Sequence, residues 1–311
     1  MKLTVTGATG TIGRALVGAL LERGDSVTVL SRRPDRAKSA LGDVRALAWS
    51  DPKSEPPPPE ALEAHDGIVH LLGEPVAQRW SKRAKREIRE SRVLATRQLV
   101  AGLRAAERRP GVLVSQSATG WYGARGDEPL DESAPPADDF LAQVVSEWEA
   151  EARRAEDLGV RVAITRTGVV LSQSGGALEK MLPPFRLGVG GPVAGGRQYV
   201  PWVHADDVVG ALIFCLENPA ARGPVNVTAP EPVTNRELSK ALGRVLGRPA
   251  LAPVPALALR ALYGEMASIV TTGARVLPRR LEELGYGFRQ PDLDPALRAA
   301  AASRGAQAGA S

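Results

Sequence analysis

Cysteine, histidine and lysine are all scarce: one cysteine, three histidines and seven lysines among 311 residues. A single thiol, Cys215, excludes an internal disulfide. Its place in the apolar run ALIFC reads as a small buried hydrophobe in a reducing, cytoplasmic setting. Three scattered histidines beside one cysteine offer no ligand spacing, so no metal site is expected. No uninterrupted apolar run approaches the roughly 18–20 residues that span a bilayer. The opening MKLTVT runs into a strand pattern rather than a signal peptide. Net charge is mild, 40 Lys+Arg against 35 Asp+Glu. The densest basic stretch, residues 79–92, is interrupted by Glu87 and Glu90. Ile88, Val93, Leu94 and Leu99 give it an apolar stripe. It reads as a solvated helix face, without the aromatic platforms of a nucleic-acid surface.

What is present is an alternation. Short β-branched runs at 3–6, 26–30, 44–48, 67–72, 111–115 and 161–165 are separated by helical patterns at 11–23, 81–107 and 139–158. Strands joined by helical crossovers predict an α/β fold with a doubly wound parallel sheet. Fully apolar strands such as GIVHLL fit burial on both faces. The proline-dense segment 51–60 reads as a surface loop. Residues 1–170 are expected to form the nucleotide domain, with later segments returning to it. Residues 171–296 are expected to form a substrate or cap region. Within it, 205–217 is helical, 225–227 is a strand, and 234–246 is a helix begun by a Thr234/Glu237 capping box. The Ala/Gly/Ser-rich residues 297–311 read as a disordered tail.

The stretch TVTGATGTIG places Gly7, Gly10 and Gly13 between the first strand and first helix. Gly7 suits the tight turn, Gly10 a close backbone approach to a pyrophosphate, and Gly13 close packing of helix on sheet. The intervening Thr9, Thr11 and Ile12 would present loop atoms and helix N–H groups to phosphate. The competing reading is a structural turn rich in glycine. At the end of the second strand stand Ser31, Arg32 and Arg33, with no acid to take a ribose 2′-hydroxyl. Two guanidinium groups suit a 2′-phosphate, so NADP(H) is expected over NAD(H). The alternative is plain surface charge. Asp35 reads as a cap of the next helix.

These motifs resemble the short-chain dehydrogenase/reductase superfamily in its extended, epimerase-like form. TGATGTIG resembles its nucleotide fingerprint and LVSQSATGWYG (113–123) its fifth-strand motif. HLLGEPVAQRW, ITRTGVVLSQSGGALEKM, GGRQYVPWVHADDV and LPRRLEELGYGFR narrow the resemblance to a branch labelled "epimerase family protein", over about residues 1–296. The resemblance implies a Rossmann fold, an oxidoreductase or epimerase acting on a nucleotide-linked sugar or other small substrate, and a homodimer as one option. It also implies cofactor contacts from Leu72, Gly73, Glu74, Ser115, Thr167 and Gly168. Arg166 should face the nicotinamide side with Thr167, and the 175–185 loop with Lys180 should close over substrate.

One departure stands out. The superfamily's Tyr-x-x-x-Lys pair is absent: Tyr122, Tyr199, Tyr263 and Tyr286 are followed at +4 by Gly126, Val203, Ala267 and Gln290. The expected segment carries Phe140 and Val144. Ser117 matches the superfamily's serine, while Tyr122 and His204 are the replacement candidates for proton transfer. Asp206 and Asp207 read as helix caps, His70 as core, and His65 as part of a surface turn. Trp80 and Trp202 could equally line a cleft or pack. The alternative to an enzyme is a non-catalytic NADP(H)-binding sensor or scaffold.

Overall fold

The structure, a computed structural model, describes residues 1–172 and 175–302. Seven parallel strands form its central sheet: β1 Lys2–Thr6, β2 Ser26–Ser31, β3 Arg45–Ala48, β4 Gly67–His70, β5 Val112–Ala118, β6 Arg161–Thr167 and β7 Gly223–Val227. Their spatial order is β3-β2-β1-β4-β5-β6-β7. The order reverses between β1 and β4, where Thr6 pairs with both Leu30 and His70. This is the doubly wound, Rossmann-like arrangement. Strand β5 runs through Ala118 and β6 through Thr167, both longer than their sequence patterns suggest. The extension places Ser117 on the strand, opposite Arg166.

Helices cover both faces. α1 (Thr11–Glu22) buries Leu16, Val17 and Leu20 at helical spacing. It shares a core with α2 (Pro34–Leu41) and α6 (Ala205–Glu217), which supplies Val208, Leu212 and Cys215. The other face holds α3 (Lys82–Ala105), capped by Ser81, and α4 (Phe140–Arg153), capped by Asp139. Asp35 lies in the first turn of α2, whose N-cap position is Arg33. At the other end of α6, the Arg161 guanidinium donates to the carbonyls of Cys215, Leu216 and Ala221 at 2.7–2.8 Å.

Beyond β6 the chain builds a third core on the sheet's carboxyl side. The segment expected as a loop at 175–185 is helical from Ala177, in α5 (Ala177–Arg186), although Pro183 and Pro184 lie inside it. Leu178, Leu182 and Phe185 pack against Trp202 and against Leu238 and Leu242 of α7 (Asn235–Leu246). The capping box at Thr234 and Glu237 is formed. β7 and α6 return to the central sheet, and α8 (Ala256–Tyr263) lies on the outside with no buried residue. The C-terminal expectation is corrected in part. A helix, α9 here (Leu293–Ala302), inserts Ala296, Leu297 and Ala300 into the third core, so 297–302 is not a disordered tail. Alanine has high intrinsic helix propensity, and docking supplies the apolar burial that a free tail lacks. Residues 303–311 lie outside the described residues.

Candidate functional site

The crevice outside the carboxyl ends of β1 and β4 is where open sheets of this order hold ligands. Gly7 leaves β1 with φ +66°, and a Cβ there would lie 2.6 Å from the Leu71 carbonyl oxygen. A Cβ on Gly13 would lie 2.4 Å from the Gly7 carbonyl oxygen. Both close approaches exclude any larger residue. Gly10 is the N-cap of α1 and supplies no side-chain cap, and no acid occupies the first turn. The N–H groups of Ile12 and Gly13 thus open a positive helix end to the crevice. Thr9 is exposed beside them, its carbonyl accepting from Arg14 Nε at 2.9 Å. Thr11 lies under Gly175, whose notional Cβ would be 2.4 Å from Thr11 Oγ1.

At the end of β2, Ser31 Oγ accepts from the Arg33 N–H at 3.1 Å. The side chains of Arg32 and Arg33 are exposed, and neither has an ion-pair partner among the described residues. A helix end without a side-chain cap and two guanidinium groups without ion-pair partners among the described residues fit a phosphorylated dinucleotide.

Beyond β4, Leu72 is half-buried while Gly73 and Glu74 are exposed. Ser91 and Arg92 of α3 hold this loop. The Glu74 N–H donates to Ser91 Oγ at 3.0 Å, and Arg92 Nη1 donates to the Glu74 carbonyl at 2.9 Å. A Cβ on Gly73 would lie 2.9 Å from Arg92 Cζ. Burial pulls the Arg92 guanidinium down to about 10.

Ser117 and Tyr122 enter one buried network. Ser117 Oγ donates to Glu149 Oε1 at 2.6 Å. Arg166 closes on the same carboxylate, Nε to Oε1 at 2.8 Å and Nη2 to Oε2 at 3.0 Å. Its Nη1 donates to the Tyr122 hydroxyl at 3.1 Å, which in turn donates to Asn226 Oδ1 at 2.6 Å. Trp121 covers the guanidinium, 3.8 Å from ring centroid to Cζ. Ser117 is 1% exposed and Tyr122 fully buried. Burial pushes the Tyr122 phenol up to about 12. Arg166 is therefore buried against α4, where Glu149 is the anion that neutralises it. Glu149, Arg166 and Asn226 went unnoticed as a unit in the sequence. Their one signal is Glu149, a carboxylate between Trp148 and Ala150 on α4.

His204 Nδ1 accepts from the Asp206 N–H at 3.2 Å and caps α6 itself. Asp207 is not a cap. It is 1% exposed and accepts from the N–H groups of Arg289 and Gln290 at 2.7 and 2.9 Å, and from the Tyr286 hydroxyl. Ser115 and Thr167 are buried, with hydroxyls directed at the Gln116 and Thr165 carbonyls. A Cβ on Gly168 would lie 2.0 Å from the Pro201 carbonyl oxygen, so the chains cross tightly there. Trp202 is packed in the third core. His70 lies at the strand-order reversal, bonded to Thr6 and Thr96 at 2.8 and 3.0 Å. Desolvation lowers it to about 4. His65 is buried as well, not in a surface turn, because Thr28 Oγ1 and the Glu63 carbonyl satisfy both ring nitrogens. Among the described residues no group of histidine, cysteine and carboxylate side chains could hold a metal. No described helix is long and apolar enough to cross a membrane.

Residues 3–228 match the NAD dependent epimerase/dehydratase family. The chain belongs to that family. Residues 254–300 match a separate domain of unknown function. Among relatives of this epimerase-family chain, the chloroplastic "epimerase family protein SDR39U1 homolog" of Arabidopsis thaliana is 41% identical, covering 96% of this chain and 86% of the relative. A Mycobacterium bovis epimerase family protein is 38% identical over 95% of this chain and 96% of its own length. The human epimerase family protein SDR39U1, crystallised with NADPH, superposes with a TM-score of 0.87 at 34% identity, covering 97% of this chain and 99% of that one. A Corynebacterium glutamicum nucleoside-diphosphate sugar epimerase superposes at 0.75 with 32% identity, over 99% of this chain and 61% of that one.

Proposed function

We propose that this epimerase-family protein binds NADP(H) and serves as an oxidoreductase or epimerase on a nucleotide-linked sugar or another small hydroxy or carbonyl compound. The observation that carries the cofactor reading is the pair of unpaired guanidinium groups, Arg32 and Arg33, close in sequence to an uncapped helix α1. Gly7, Thr9, Gly10, Thr11, Ile12 and Gly13 would hold the pyrophosphate, and Ser31, Arg32 and Arg33 the 2′-phosphate. Leu72, Gly73 and Glu74 would flank the ribose side, and Ser115, Thr167 and Gly168 the nicotinamide side. The dinucleotide, when bound, supplies or accepts hydride. Ser117 would orient the substrate oxygen, and Tyr122 or His204 would handle the proton. NADPH in the human relative's crystal structure supports the cofactor choice.

A second reading, an NADP(H)-holding sensor or scaffold, is favoured by one observation. The Ser117 and Tyr122 hydroxyls are already donated, to Glu149 and Asn226. Each must release that partner before it can serve a substrate. Native mass spectrometry of protein purified without added nucleotide tests both readings. Retained NADP(H) with a second small molecule supports the enzyme, whereas NADP(H) alone, with no turnover on candidate substrates, supports the sensor. Protein that is empty and takes up no NADPH ends the cofactor reading.

A further inference from the structure

A second cluster lies on the sheet's carboxyl edge, outside the residues assigned to the dinucleotide. Trp80 stands just before α3 and Phe140 opens α4, and their rings meet edge to face at 5.1 Å. The Lys85 ammonium sits 5.0 Å from the Phe140 ring centroid and 5.9 Å from that of Trp80. Glu265, from the cap region, reaches across to ion-pair with that ammonium. Arg79 Nη1 donates to the Leu262 carbonyl at 3.5 Å, and Lys180 Nζ to the Ala77 carbonyl at 3.2 Å. Three cations therefore converge on residues 77–85 and the cap. Among the described residues, Glu265 is the one carboxylate ion-paired with any of the three.

Topology sets this cluster beside the crevice. β4 and β5 are neighbours, and α3 and α4 begin on the side where those strands end. The chain from Leu71, which abuts Gly7, runs directly into Trp80. Lys180 follows Gly175, which lies on Thr11 of the glycine loop. The Lys85 side chain is 31% exposed and that of Glu265 67%, so their pair faces water and is cheaply exchanged. An ammonium against two aromatic rings, with only an exposed carboxylate for a partner, suits a ligand with an anionic group and a flat or apolar body.

We propose that Lys85, Trp80 and Phe140 form an anion subsite for the substrate. The substrate is then a small carbonyl or hydroxy compound bearing a carboxylate or phosphate, and Glu265 holds the place of that anion until it arrives. The substrate class rests on the oxidoreductase reading above, whereas the subsite itself does not.

Isothermal titration tests it with benzoate, phenyl phosphate and benzyl alcohol, on protein with and without NADP+. One of the two anions is expected to bind at least about tenfold more tightly than benzyl alcohol. Which anion wins tells carboxylate from phosphate. The preference is expected to shrink at about 0.5 M salt. Lys85→Met is expected to abolish it and Lys85→Arg to retain it. Glu265→Gln is expected to tighten anion binding about threefold, since the internal competitor is gone. Benzyl alcohol binding as tightly as both anions, or no probe binding at all, overturns the proposal. So does an anion affinity that Glu265→Gln leaves unchanged. Protein that binds no NADP(H) fails the cofactor reading, and the probe titrations on that same protein still decide the subsite.

Discussion

Gly7 combines a φ of +66° with a missing Cβ aimed at the Leu71 carbonyl, so it tolerates neither a new backbone region nor added volume. Gly7→Ala is expected to cost about 1–3 kcal/mol of stability from backbone strain alone, and to weaken NADPH binding measured by fluorescence titration. Arg32 and Arg33 make a contrasting case, being exposed and without ion-pair partners among the described residues. Their joint replacement by alanine should leave the melting temperature nearly unchanged. NADPH affinity should fall about 10–100-fold while NADH affinity stays level, because two charge-assisted contacts to a 2′-phosphate would vanish. Equal losses for both cofactors would assign these arginines a general electrostatic role instead.

Between elements, the Glu149–Arg166 pair joins α4 to β6, with both side chains 2% exposed. Breaking a buried pair strands a charge. Arg166→Met is therefore expected to destabilise by about 3–5 kcal/mol in urea unfolding, and Glu149→Leu combined with Arg166→Met by distinctly less. The same double variant frees the Ser117 hydroxyl from its acceptor. If Ser117 serves a substrate, turnover should change by more than the loss of folded protein explains. Helix α9 makes a second element-scale case. Leu297 is fully buried among residues of α5 and α7. Leu297→Ala is expected to cost about 2–5 kcal/mol, as lost transfer energy plus a cavity. A surface tail would show no effect.

Over the whole molecule, two buried histidines couple stability to pH. Desolvation keeps His70 neutral when folded, lowering it from 6.5 to about 4, and His65 is shifted the same way. The unfolded chain protonates first, so this contribution is complete above the unfolded value. It is lost as pH falls from about 6.5 towards about 4, for His70 by about 3 kcal/mol. His70→Asn should flatten that part of the unfolding profile. An unchanged slope between those pH values would place the acid sensitivity elsewhere.

The parallel sheet, the glycine loop and the arginines after β2 were legible along the chain. Periodicity, a Gly-x-x-Gly-x-x-Gly spacing and the absence of an acid are local facts, and the strand and helix they specify are local structures. The buried state of His65, the helix at 293–302 and the fate of Ser117 were not legible. Each depends on a partner remote in sequence: Thr28 for His65, the α5 and α7 core for Leu297, Glu149 for Ser117. The sequence by itself determined which residues can form strands, turns and helix ends without a side-chain cap, because those preferences lie within a few residues. Only the tertiary structure decided which polar groups are spent on one another and which still face the crevice. Burial and charge neutralisation are set by neighbours that the chain brings together only when it folds.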